Sequence, residues 1–278
     1  MPHTSRFPRI YYRVERPGPS TEPPVVFIQG LGLSSRFWFD APANVRAATG
    51  RTTVILDNRG TGQSDRVRRP FRIGSMADDV IAVLDDAGIA EAVIVGISLG
   101  GMVAQEVALR HPSRTAGLVL LATTPGLPLG RLPPLDSLAT LLSLPFAGTK
   151  GGPRLNALLL SARDMPHAAT LFARWPEALS ADPVTPATFL VQFLAASLHS
   201  TGGRLHQIRC PTVVVTGAED RLILPVNSER LAAKIAGSVL EVLADVSHAV
   251  PTSDPHSITR ALASLAKASG PRSVTAVG

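Results

Sequence analysis

Ser98 lies in the run Gly96-Ile97-Ser98-Leu99-Gly100-Gly101, with glycine two positions before it and two positions after. The apolar run Ala92–Val95 leads into it, and a helix-like run, Met102–Leu109, follows. A serine between glycines at a sharp strand-to-helix turn is held in a strained backbone conformation with its hydroxyl exposed. Side chains at 96 and 100 would collide with neighbouring backbone, and glycine removes that collision. The hydroxyl then faces the unpaired N–H groups and positive dipole end of the following helix. Such a serine can act as a nucleophile if something removes its proton. The motif alone also occurs by chance.

Two further groups answer that requirement. Thr216-Gly217-Ala218-Glu219-Asp220 follows an apolar run ending at Val215 and offers a carboxylate, Asp220. Asp245-Val246-Ser247-His248 follows the last apolar run and offers an imidazole. Alone, Asp220 reads as a turn-forming aspartate and His248 as an exposed loop histidine. Together they give the order Ser98, Asp220, His248, and loops at strand C-terminal ends converge on one crevice. Histidine can accept the serine proton near neutral pH and return it to a leaving group. Asp220 would hold the ring tautomer and stabilise its cation. Glu219 is the rival acid. His256 is a poorer base, because no strand end delivers it to the crevice.

Gln29-Gly30-Leu31-Gly32 follows the apolar run Val25–Ile28. A glycine-rich turn there can aim the Leu31 N–H at the nucleophile. With the Leu99 N–H it would form an oxyanion hole, in which one donor is typically worth about 3 kcal/mol in the transition state. Phe37 and Trp38 come next, and two roles are open to them: lining an acyl pocket, or filling the core from an amphipathic helix. Met102 reads as packing, and His199 and His206 as surface residues.

These groups need a scaffold. Val25–Ile28, Thr53–Leu56, Ala92–Val95, Leu118–Leu121, Thr212–Val215 and Val239–Leu243 read as buried strands, the central ones without alternation, as in a parallel sheet covered on both faces. Arg9–Val14 partly alternates and reads as an edge strand. Met76, Val80, Val83, Leu84 and Ala87 recur at helical spacing, with Ser75 as N-cap and Gly88 as stop. Further helices are predicted from the serine turn to His111-Pro112, from near Asn227 through Ile235, and across Ile258, Leu262 and Leu265. The fold class is therefore α/β, a mostly parallel central sheet flanked by helices. Residues 1–124 and 208–268 form its core. The alternation breaks over 125–207, which reads as a helical insertion, and 269–278 reads as a disordered tail.

Composition agrees with a compact globular chain. The 278 residues are 45% hydrophobic and 17% charged. No apolar run suggests a membrane span, and no signal-peptide core follows Met1, so a cytoplasmic location is expected. The formal charge is +6. Arg66, Arg68, Arg69 and Arg72 cluster with only Phe71 among them, a pattern of a solvated surface rather than a nucleic-acid site. The single cysteine, Cys210, permits no internal disulfide and reads as a small buried residue. No His/Cys cluster has metal spacing, and neither metal nor cofactor is expected.

At this point the chain resembles the α/β-hydrolase superfamily along nearly its whole length. The Gly96–Gly100 turn, the order of Ser98, Asp220 and His248, and Asp57-Asn58-Arg59-Gly60-Thr61-Gly62-Gln63-Ser64 carry the resemblance. Asp57 and Arg59 then read as organisers of a loop beside the serine turn. Gln29 departs from the family's frequent His-Gly, which leaves the backbone donors in place but bears on how that loop is anchored. The resemblance makes 125–207 a helical cap or lid. With Ala122-Thr123-Thr124 after the Leu118–Leu121 run, no acid occupies the family's alternative position. The implied chemistry is hydrolysis of a small-to-medium hydrophobic carboxylic ester or lactone through an acyl-enzyme. Cofactor-free haloperoxidases (perhydrolases), C–C bond hydrolases and proline iminopeptidases share the pattern, and a non-enzymatic binding protein of the same fold is the remaining alternative. A small-molecule substrate, without nucleic-acid or membrane partners, is implied; oligomeric state is open.

Overall fold

The structure is a computed structural model that describes residues 3–67, 69–146 and 151–268. Arg68 of the arginine cluster and the expected tail over 269–278 lie outside the described residues. Seven strands form one sheet: β1 (Tyr12–Glu15), β2 (Val25–Ile28), β3 (Thr53–Leu56), β4 (Ala92–Ile97), β5 (Thr115–Leu121), β6 (Thr212–Gly217) and β7 (Val239–Leu243). Their order is β1-β3-β2-β4-β5-β6-β7. β1 pairs antiparallel with β3 at one edge, and every other pairing is parallel.

The apolar runs without alternation become strands covered on both faces: β2, β3, β4 and β6 are buried throughout. On one face pack α2 (Ile73–Asp86), α3 (Leu99–Arg110) and α9 (Pro225–Lys234). The other face carries α1 (Ala41–Thr49) and α11 (Ser257–Ala268). Between β5 and β6 the chain leaves the sheet for α4 (Leu135–Ser143), α5 (Gly151–Leu159), α6 (Ala168–Leu171), α7 (Trp175–Ala181) and α8 (Pro186–Ser197). A short α10 (Val250–Ser253) follows β7. A third apolar cluster joins Leu158, Phe172 and Trp175 of the inserted segment to Phe37, Leu222 and Ala249 at the sheet end.

Two expectations are corrected. β7 is an edge strand with Val239 and Val242 exposed, because among the described residues no strand lies beyond it in the sheet. α2 begins at Ile73 with Arg72 at its N-cap, not at Ser75. Ile73 is itself buried, so the apolar face starts one turn earlier than the Met76-based spacing suggests. α9 opens at Pro225, near the expected Asn227, with proline in the first turn, where its missing N–H costs nothing.

Candidate active site

The serine turn is a steric construction. Ser98 has φ 55° and ψ −119° between β4 and α3. A Cβ on Gly96 would stand 2.2 Å from the Gly100 carbonyl oxygen, and one on Gly100 would stand 2.0 Å from that of Ile28. No side chain fits at either position, so the two glycines permit the turn. Its backbone is tied down from outside: the Ser98 N–H donates to Leu121 O at 2.9 Å. The Thr123 hydroxyl donates to Ser98 O at 2.7 Å.

Asp220 and His248 arrive from the loops after β6 and β7. His248 Nδ1 lies 2.8 Å from Asp220 Oδ2, and both residues are buried. The other carboxylate oxygen, Oδ1, accepts the N–H groups of Leu222 and Ile223, each at 2.8 Å. Asp220 is thus fixed from both sides, and its partner nitrogen leaves Nε2 as the free ring position. Ser98 and His248 line one cavity of about 290 Å³. The rival Glu219 turns elsewhere: its Oε2 accepts the Ala162 N–H at 2.9 Å, beyond the end of α5. The residue after His248 is tied to the same helix end, Ala249 N–H donating to Leu159 O at 3.0 Å.

The Gln29–Gly32 turn borders the cavity on the other side. Gly30 packs against Ser98, an added Cβ there lying 3.5 Å from the Ser98 Cβ. Where the family often has histidine, Gln29 folds its own Oε1 onto the Gly30 N–H at 2.7 Å. Asn58 Nδ2 holds the Gln29 carbonyl at 2.9 Å. Leu31 is half-buried and Leu99 buried. Asp57 organises the adjacent loop by accepting the N–H groups of Ser35 at 2.7 Å and Gln63 at 2.8 Å. Burial pushes its carboxyl above the ordinary aspartate range, against these hydrogen bonds. Arg59 pairs with Asp79 at 2.6 Å.

Phe37 and Trp38 sit in a 3₁₀ turn, Ser35–Trp38, rather than an amphipathic α-helix. Both border the cavity. Phe37 stacks edge-on against Trp175 at 5.0 Å, while Trp38 packs on Phe27 of β2 at 5.2 Å. Pocket and core roles therefore coexist. Met102 is buried in the core. His206 is exposed, but His199 is not a surface residue: it is 4% exposed, and burial lowers its imidazole pKa to about 3. The chain at 199–200 is pressed against the loop at Gly126, where an added Cβ would lie 1.9 Å from His199 O. Burial pushes the Cys210 thiol up to about 11, which keeps it protonated and unreactive. Among the described residues no group of His, Cys, Asp or Glu could hold a metal ion.

Most of the remaining wall comes from the inserted helices, through residues such as Leu141, Leu155, Leu158, Trp175 and Phe189. No motif marks them in the sequence. Among the described lining residues none is Asp, Glu, Lys or Arg.

A family model described as the alpha/beta hydrolase fold matches residues 23–255. The chain belongs to the alpha/beta hydrolase family. Relatives of this alpha/beta hydrolase include the provisionally named carbamate hydrolase RutD of Caulobacter sp. (strain K31), 29% identical over 91% of this chain and 94% of that one. Among solved structures, Est816, described as an N-acyl homoserine lactone degrading enzyme, is 28% identical, with a TM-score of 0.75 over 94% of this chain and 99% of that one. The enol-lactonase from Burkholderia xenovorans LB400 shares the fold with a TM-score of 0.81 at 21% identity, over 96% of this chain and 100% of that one. Family and relatives together make this chain a hydrolase. No described helix is long and apolar enough to cross a membrane.

Proposed function

We propose that this alpha/beta hydrolase cleaves a carboxylic ester or lactone with a hydrophobic acyl portion through an acyl-enzyme on Ser98. Its core is 1–124 with 208–268, and 125–207 serves as the lid. The observation that carries the reading is a single apolar cavity faced both by the strained Ser98 and by His248, whose other nitrogen is held by Asp220. His248 Nε2 takes the Ser98 proton as Oγ attacks the carbonyl carbon, then returns it to the leaving oxygen. The N–H groups of Leu31 and Leu99 hold the oxyanion. Water, deprotonated by His248, then cleaves the acyl-enzyme.

The cavity also orders the alternatives. Carbamate, the substrate in the relative's name, is small and polar, and a pocket walled by leucines, Trp175 and Phe189 gives it little to bind. A peptide amino terminus calls for a carboxylate, and a carboxylate-bearing C–C substrate for a cation; neither charge lines the described cavity. Perhydrolysis shares every catalytic step, with hydrogen peroxide in place of water. The test pairs p-nitrophenyl esters of increasing acyl length, and alkyl lactones, with mass spectrometry after a fluorophosphonate. Turnover that rises with chain length and one adduct on Ser98 are expected. Absence of both turnover and adduct would overturn the assignment.

A further inference from the structure

Gln192 is a polar residue in the otherwise apolar run Phe189–Leu194 of α8, and none of it is exposed. Burying an amide is unfavourable unless its donors and acceptor are used. Both ends of this one are used, and on two different loops of the sheet end. Oε1 accepts the Gly32 N–H at 2.8 Å, and Nε2 donates to the Arg59 carbonyl at 3.0 Å. The partners are 160 and 133 residues away in sequence.

The helix is brought close enough for this by the loops it touches. A Cβ on Gly60 would meet Thr188 Cγ2 at 2.8 Å, and one on Gly32 would meet Phe189 Cδ2 at 3.4 Å. The Arg59 loop is a firm anchor, because Arg59 makes two hydrogen bonds to the Asp79 carboxylate, at 2.6 and 2.7 Å. The Leu31 turn is a weak one. Its own closing bond, Leu33 N–H to Gly30 O, is 3.3 Å long. Gly32 sits at φ +73°, where glycine has no side chain to restrict it. The amide planes on either side of Leu31 share its Cα. Fixing the Gly32 N–H therefore restrains the direction of the Leu31 N–H.

We infer that Gln192 is a positioning residue: it transmits the rigidity of the Arg59 loop to the Leu31 turn and so aims the Leu31 N–H at the developing oxyanion. The inference rests on the proposed role of Leu31 and deepens it. Gln192 touches no reacting atom. Its contribution belongs to the transition state, since a misdirected donor loses more against a tetrahedral oxyanion than against a planar carbonyl.

The experiment compares wild type, Gln192→Met and Gln192→Glu, with active sites counted by fluorophosphonate labelling. Met has similar length and neither hydrogen bond, whereas Glu keeps the acceptor for the Gly32 N–H. For Gln192→Met, kcat per labelled site falls about 10- to 100-fold while KM stays within about threefold. Affinity for an alkyl boronic acid, which forms a tetrahedral anion on the serine, falls in parallel. Gln192→Glu, which keeps the Gly32 acceptor but has no donor for the Arg59 carbonyl, lowers kcat per labelled site as well. A merely structural role would lower the melting temperature and the number of labelled sites but leave kcat per site and boronate affinity unchanged, and that result overturns the inference. Amide exchange of Gly32 in the wild type is read independently of any variant: protection is expected, and exchange as fast as an open loop overturns the bridge even if Gln192→Met does not fold. If the wild type is not labelled at Ser98, the functional reading fails instead, while Gly32 exchange still tests the bridge.

Discussion

On the sheet side of the cavity, position is set by backbone. Ser98 is placed by two glycines that admit no side chain, Asp220 by two N–H groups, and the Leu31 turn by side chains that bond its peptides. On the inserted side, with Gln192 of α8 as the hydrogen-bonded exception, the wall is held by apolar side chains in contact: Leu158, Phe172 and Trp175 against Phe37, Leu222 and Ala249. Hydrogen-bonded backbone is directional and tolerates small errors poorly. Apolar packing is non-directional and accepts volume-conserving exchange. The same cavity thus has one wall suited to fixed chemistry and one suited to variation in what it admits.

The contrast can be broken most severely at Ser98 and His248. Either residue changed to Ala should lower kcat by about 10⁶-fold in ester hydrolysis, with the melting temperature nearly unchanged. Retained turnover in Ser98→Ala would remove the chemical wall from the comparison. Next come the neighbouring carboxylates. Asp220→Asn should lower kcat by about 10⁴-fold. Glu219→Gln should cost less than about tenfold, because its amide oxygen can still accept the Ala162 N–H. The reverse pattern would move the acid by one residue.

Stability sharpens the same contrast. Gly100→Ala puts a methyl 2.0 Å from a backbone oxygen and should destabilise by about 3 kcal/mol, measured by denaturant unfolding. On the inserted side, His199 makes stability depend on pH. Its imidazole is held neutral, with its pKa lowered to about 3, whereas unfolded histidine titrates near about 6.5. The unfolded chain therefore binds the extra proton between those values. This contribution to stability is full above about pH 6.5 and falls by up to about 1.4 kcal/mol per unit as pH drops toward 3. Unfolding curves of His199→Leu should lose that slope. The smallest effect is expected from Leu179, which lines the cavity yet is 40% exposed. Leu179→Trp should narrow the pocket and shift preference to shorter acyl chains, by up to about fourfold in kcat/KM for each methylene excluded. Its rate on short esters should stay the same.

The strands were legible because each carries its own signal. Val25–Ile28, Thr53–Leu56 and Thr212–Val215 are apolar without alternation, and all are covered on both faces. The same signal misled at Val239–Leu243, because a run of apolar residues does not say whether another strand lies beyond it. The placement of Ser98, Asp220 and His248 at one end of the sheet was legible because each follows a strand closely, and strand ends share one side of a parallel sheet. His199 was misread because a histidine after a helix carries no local mark of the Gly126 loop that presses against it.

By itself, then, the sequence determined the parallel sheet, the glycine-flanked turn at Ser98 and the loops that bear Asp220 and His248, all of which follow from patterns within a few residues. Only the tertiary structure decided that Asp220 rather than Glu219 meets His248, that Phe37 leans on Trp175 while Trp38 leans on Phe27, and that Gln192 joins the Leu31 turn to the Arg59 loop. These depend on which distant segment supplies the partner. A hydrogen bond between groups 160 residues apart leaves no trace in the local spacing of either.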